Sequence, residues 1–115
     1  MPSISVTLPS ETRAALERTA KFLRAQAQWL EQTGSQHTLP QVQAYAETLE
    51  RLAAAPEPVP ITDEARDHVQ QAAFLLEGAR NSFRNAEFTD RAAKVSADIA
   101  RLYDIVKNYN AAVST

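Results

Sequence analysis

The 115-residue sequence has no cysteine, only two glycines and few aromatic residues. The lack of cysteine excludes disulfides, thiolate nucleophiles and cysteine-ligated metal sites. Gly34 and Gly78 are isolated, so no glycine-rich phosphate-binding loop is present. No apolar run approaches the ~20 residues that span a bilayer, and the first residues lack the basic and apolar regions of a signal peptide. We therefore expect a soluble, cytoplasmic protein that does not enter a membrane.

Neither sign of charge dominates the chain. Twelve Lys and Arg residues against 14 Asp and Glu residues give a formal net charge of -2 at pH 7. The overall charge therefore offers no field that would attract nucleic acid or an anionic membrane surface. The length fits a single domain, in which folding buries roughly two-thirds of the accessible surface of the unfolded chain.

Apolar residues recur at helical spacing in four segments that three breaks separate. The breaks are the sequences TGSQHT at 33–38, PEPVP at 56–60 and NAEFTD at 85–90. The pattern predicts helices over about 10–32, 39–55, 62–85 and 89–112. Four amphipathic helices with short connections bury their apolar faces together, so we predict an all-α fold. The predicted architecture is an antiparallel four-helix bundle of two helical hairpins, formed by residues 10–115 as one domain.

Residues at the predicted helix ends indicate how the helices begin. Thr38 and Gln41 fit a capping box at the second helix, Thr62 and Asp63 fit the start of the third, and Thr89 fits a cap on the fourth. The prolines of PEPVP lie two apart, which favours a stiff extended connector between the hairpins over a PxxP ligand.

The N-terminal sequence SISVTLP does not have helical periodicity. Ile4, Val6 and Leu8 alternate with polar residues, a pattern typical of a half-buried strand, so we predict an extended N-terminal arm over 1–9. A strand needs a partner, and we find no second strand in the sequence. The arm then either lies in a groove of its own bundle with its backbone in water, or pairs with the arm of a second copy across a two-fold axis.

A third arrangement follows from the sequence ISVTLPSETRAALERTA. This segment resembles the start of the ribbon-helix-helix family of DNA-binding repressors and antitoxins, in which an alternating strand ending in Leu-Pro precedes an amphipathic helix. The resemblance covers about the first 24 residues. It implies that paired strands enter the major groove with Ser3, Ser5 and Thr7 facing the bases. The chain departs from the family in its longer first helix, its two further helices and a strand without basic residues.

Few side chains are typical of catalysis or metal binding. His37 lies in a predicted loop, and His68 lies on the third helix away from the main apolar stripe, where we expect a solvated histidine. Glu64 and His68 share a face, but the Glu-x-x-His pattern of di-iron bundles is absent. The serines occupy caps, loops and termini. We therefore expect no catalytic residues, no cofactor and no metal.

Arg80 falls on the apolar stripe of the third helix. Its guanidinium either reaches the bundle edge towards an acid such as Asp98, or belongs to a small-anion or ligand site inside the bundle together with Arg84.

Phe22 and Trp29 form a second apolar ridge on the first helix, and Phe74 lies on a further face of the third. Such a ridge is either part of a wide core or a surface for another chain. We expect a non-catalytic protein-protein interaction or regulatory module that self-associates as a homodimer. The alternatives are a DNA-binding, antitoxin-like regulator, a ligand-binding bundle around Arg80, and an enzyme whose cleft brings His68 together with acids. The predicted interface residues are Ile4, Val6, Leu8, Phe22, Trp29 and Phe74.

Overall fold

Four helices and a two-stranded antiparallel sheet make up the fold. The computed structural model describes residues 3–34 and 37–114; residues 1, 2, 35, 36 and 115 lie outside them, including the first two of the predicted arm. The elements in chain order are β1 (Ser3–Val6), α1 (Ser10–Gln32), α2 (Leu39–Ala54), β2 (Val59–Thr62), α3 (Asp63–Asn85) and α4 (Thr89–Val113).

The predicted bundle of two helical hairpins is confirmed. α1 packs along α2 and α3 packs along α4, and the hairpins meet through α1 with α4 and α2 with α3. Each helix begins and ends within one residue of its predicted bounds. The apolar stripes form one core, in which Leu16, Leu23, Leu49, Val69 and Leu102 are fully buried.

The prediction that the N-terminal strand has no partner within the chain is wrong. β1 pairs with β2, and Ser3 lies opposite Thr62 while Val6 lies opposite Val59. β2 contains the last two residues of PEPVP, so this segment is only partly a connector. Val59 and Ile61 are fully buried. Their alternation spans four residues and is interrupted by proline, which is why the sequence pattern did not reveal a strand.

The apolar side of the arm faces its own bundle. Leu8 is buried, and the half-buried Ile4 and Val6 pack against the core. This placement matches the first arrangement considered for the arm, except that the backbone of β1 pairs with β2 instead of remaining in water. The pairing implied by the ribbon-helix-helix resemblance uses a strand of a second chain, whereas here the partner strand belongs to the same chain.

Arg13 fastens the junction between the arm, α1 and the end of α2. Its Nη1 donates to the carbonyl oxygens of Ala53 at 2.9 Å and Ala55 at 2.7 Å, and its Nε donates to the carbonyl of Leu8 at 3.3 Å. Its Nη2 donates to Glu57 Oε1 at 3.1 Å, and the same oxygen accepts from the Leu8 amide. One side chain thereby provides donors to carbonyls that the end of α2 leaves without helical partners.

The helix starts agree only in part with the predicted caps. Thr62 Oγ1 accepts a hydrogen bond from the Ala65 amide at 3.1 Å, which confirms the cap of α3. Thr38 has helical backbone angles and makes no side-chain cap, because a capping side chain needs an extended backbone at that position. Thr89 is the first residue of α4, so the N-cap position belongs to Phe88, whose side chain has no oxygen that could accept a hydrogen bond.

The turn between α3 and α4 is a Schellman motif. The Phe88 amide donates to the Phe83 carbonyl at 2.8 Å, and the Glu87 amide donates to the Arg84 carbonyl at 3.0 Å. Glu87 has a φ of 64°, in the left-handed region that favours glycine. The turn places the start of α4 next to the end of α3.

Within the described ranges, no helix combines the length and apolar character needed to cross a bilayer.

Candidate functional site

A groove of about 680 Å³ opens between α1, α3 and α4. Its apolar lining comes from all three helices, and its charged lining comes from α1 and α4. We call it the cationic groove. The apolar lining residues are Phe22, Leu76, Ala79, Phe83, Val95 and Ala97, and the charged ones are Arg18, Arg91, Lys94 and Asp98.

The groove follows from side-chain size on the facing helix stripes. Ala79 lies between Leu76 and Phe83 in the lining contributed by α3, and its methyl group leaves space that a larger side chain would fill. Phe22 on α1 is half-buried and forms part of the opposite wall. Its predicted second ridge is therefore neither entirely core nor entirely free surface.

Positive charge is in excess among the lining residues. Both oxygens of Asp98 accept from Arg18, with Nε to Oδ2 at 3.1 Å and Nη2 to Oδ1 at 2.6 Å. This hydrogen bonding raises the pKa of Arg18. The guanidinium of Arg91 lies 5.6 Å from the ring centroid of Phe88. Among the described side chains, no carboxylate forms an ion pair with Arg91 or Lys94.

The three predicted interface aromatics lie in different surroundings. Phe22 lines the cationic groove. Trp29 is 60% exposed and lines a smaller cleft of about 240 Å³ between α1, α2 and α3. Phe74 is 48% exposed, and its ring lies 6.4 Å from that of Tyr103 on α4. The structure does not join these side chains into one ridge.

The predicted anion-site residues do not line the cationic groove. Arg80 is half-buried and its Nε has no hydrogen-bond partner among the described groups, while Arg84 is exposed. The expected contact of Arg80 with Asp98 is not formed among the described side chains, and both oxygens of that carboxylate accept hydrogen bonds from Arg18. The sequence reasoning missed Arg91 and Lys94. The signal for them is a pair of cations three residues apart, next to the apolar Val95.

The expectation that His68 is solvated is wrong. Its side chain is half-buried, its Nδ1 lies 2.6 Å from Thr48 Oγ1, and its ring lies 5.2 Å from that of Tyr45. Nε2 lies 3.9 Å from Glu64 Oε1. A hydroxyl, an imidazole and a carboxylate in this order can activate a nucleophile. Thr48, however, is only 4% exposed, so a substrate has no room at its hydroxyl and the contact is structural.

His37 is exposed in the loop after α1. The part of the chain that the structure describes contains no group of three or more histidine and carboxylate side chains that could hold a metal ion.

No protein-family model, curated protein or solved structure matches the chain.

Proposed function

We propose that the protein is a non-catalytic binding protein that holds the apolar part of a small ligand in the cationic groove. The observation that carries this proposal is an opening of about 680 Å³ with apolar residues from three helices. Small-molecule sites typically have volumes of about 300–1,000 Å³, mostly apolar walls and a few polar groups that orient the ligand. The groove fits this description better than the dispersed exposed aromatics do.

The driving force is removal of apolar surface from water. Phe22, Leu76 and Phe83 offer the ligand large side chains on two walls. Burial at ~25 cal/mol per Å² makes each 100 Å² or so of apolar contact worth roughly 2.5 kcal/mol before the cost of association. A ligand that fills the groove therefore binds without any covalent chemistry.

Binding of the neutral fluorescent probe N-phenylnaphthylamine tests this proposal. We expect saturable binding to the intact protein, and we expect Ala79→Leu to weaken it by about ten-fold, or ~1.4 kcal/mol, because the larger side chain fills the groove. Ala93→Leu is the matched control, since Ala93 is exposed on α4 and does not line the groove. Absence of saturable binding, or equal binding by Ala79→Leu protein with an unchanged circular dichroism spectrum, would overturn the proposal.

Self-association through Trp29 and Phe74 is a second candidate function. Exposed fractions of 60% and 48% favour it, because aromatic side chains are common anchors in protein interfaces. The side chains of the arm pack against their own bundle and do not enter this second proposal. Under both proposals we place the protein in the cytoplasm, as expected from the sequence.

The mass in solution by light scattering tests the second candidate. We expect a dimer for the intact chain and a monomer for Trp29→Gln or Phe74→Gln. A monomer of the intact chain at all accessible concentrations would contradict it.

A further inference from the structure

We propose that the ligand of the cationic groove is an amphiphile whose single anionic group is held by Arg91 and Lys94 beside its apolar body. This inference rests on the proposed function, and it adds the chemistry of the ligand. A carboxylate, a sulfonate and a phosphate diester share the required property, since each offers at least two oxygen acceptors on one negative charge.

The groove has more positive than negative side chains. Three cations and one carboxylate line it. Arg18 donates two hydrogen bonds to Asp98, so this carboxylate is already neutralised on the α1 side. Arg91 and Lys94 remain without a carboxylate partner among the described residues. A ligand anion completes the pairing that the chain itself does not provide.

The position of Arg91 and Lys94 on α4 adds to their positive charge. They lie in the first two turns of the helix, which begins at Thr89 and has no side-chain cap. Unpaired amides and the helix dipole give this end partial positive charge, which adds to the charges of Arg91 and Lys94. Asp90 opposes part of this charge, but it is exposed and does not line the groove.

The two cations lie beside the apolar walls of the groove. Val95 follows Lys94 directly in the lining, and Phe22 and Phe83 belong to the same groove. A charged group at Lys94 is therefore next to space that suits an apolar body. An anion without an apolar body leaves that space unused, and a cationic amphiphile meets repulsion from both free cations.

Two probes that differ in one group isolate the contribution of the charge. Anilinonaphthalene sulfonate has the aromatic body of N-phenylnaphthylamine with an added sulfonate. We expect the sulfonate probe to bind the intact protein about ten-fold more tightly, because hydrogen bonds between charged groups are stronger than those between neutral groups. The preference should decrease with added salt because these groups are near the surface.

Lys94→Met and Arg91→Met test the two cations. Each is expected to remove most of the preference for the sulfonate probe, measured in the same variant as the ratio of its affinity to that of the neutral probe. Lys107→Met, a change at an exposed lysine on the same helix away from the groove, is the matched control. Lys94→Arg should keep the preference, which separates loss of charge from loss of the lysine itself.

Competition identifies the class of ligand. Decanoate and decyl sulfate should displace the bound sulfonate probe, whereas decyltrimethylammonium and polyglutamate should not. Displacement by polyglutamate as strong as that by decanoate would replace the amphiphile with an acidic polymer and overturn the proposal.

The outcomes separate the two proposals. If the neutral probe does not bind in the groove, the proposed function fails. Only the anionic assignment fails if the neutral probe binds, Ala79→Leu weakens its binding, and the sulfonate probe binds no more tightly than the neutral probe. The same conclusion follows if the sulfonate probe binds more tightly but Lys94→Met and Arg91→Met leave that preference intact.

Discussion

At the scale of single residues, Arg13 joins α1 to the end of α2 by hydrogen bonds that the sequence pattern did not reveal. It lies at the edge of the apolar stripe of α1, three residues before Leu16, and its guanidinium donates to two carbonyls at the end of α2 and to Glu57. Periodicity places residues on a helix face, but it does not specify which backbone carbonyls from distant parts of the chain reach that face.

We expect Arg13→Met to lower the free energy of unfolding by about 2 kcal/mol or more, because several partly buried acceptors lose a charged donor. Urea unfolding at neutral pH measures the effect. Arg51→Met, at an exposed position in the last turn of α2, is the control and should change stability by less than about 0.5 kcal/mol. Equal effects of the two changes would contradict the role assigned to Arg13.

Glu87 provides a second prediction at this scale. Its left-handed φ of 64° is unfavourable for a residue with a Cβ atom. We expect Glu87→Gly to stabilise the protein by about 0.5–1 kcal/mol, seen as a higher melting temperature. Glu87→Ala keeps the Cβ atom and should bring no such gain. A lower melting temperature for Glu87→Gly than for Glu87→Ala would contradict this explanation.

At the scale of elements, the sequence predicts the helices well and the sheet poorly. The stripes of α1 to α4 repeat over several turns, so their periods are distinct even in one sequence. β2 has four residues, one of them proline, and only its pairing with β1 makes it a strand. The groove is harder still to predict, because it depends on how three helices converge around Ala79. Phe22 was identified from its ridge, whereas Arg91 and Lys94 have the spacing of an ordinary solvated face.

The ion pair between α1 and α2 gives a pH prediction. Arg24 donates two hydrogen bonds to Glu50, at 3.1 and 2.7 Å, and these lower the pKa of the Glu50 carboxyl. A lowered pKa in the folded state means that the pair stabilises the protein above the pKa of the unfolded chain. This contribution is lost as the pH falls through the folded pKa, below the ordinary value of 4.5.

We expect Glu50→Gln to cost only about 0.2–1 kcal/mol at pH 7, because both side chains are more than one-third exposed and solvent screens the pair. At about pH 3 the difference between the intact protein and the variant should be smaller than at pH 7, because protonation of the carboxyl removes its attraction to Arg24. Urea unfolding at the two pH values measures it. Glu31→Gln, at an exposed glutamate on α1, should show no such convergence.

At the scale of the whole molecule, charge is distributed unevenly. The chain as a whole carries a formal net charge of -2, yet three cations and one acid line the cationic groove. The net value therefore argues against general attraction to polyanions while leaving room for local binding of an anion. Overall composition cannot show such a separation, because it arises only when distant parts of the chain come together.

Thr62 has a further consequence for how the molecule opens. It is the last residue of β2, opposite Ser3, and its hydroxyl also accepts from the Ala65 amide at the start of α3. If β1 separates from β2, the backbone of Thr62 is no longer held in place, and the hydrogen bond that its hydroxyl accepts is weakened as well. The rate of amide hydrogen exchange in the first turn of α3 should then equal the rate in β2 and exceed the rate in the middle of α3. The boundary between cooperatively opening units therefore falls inside α3 and not at its end.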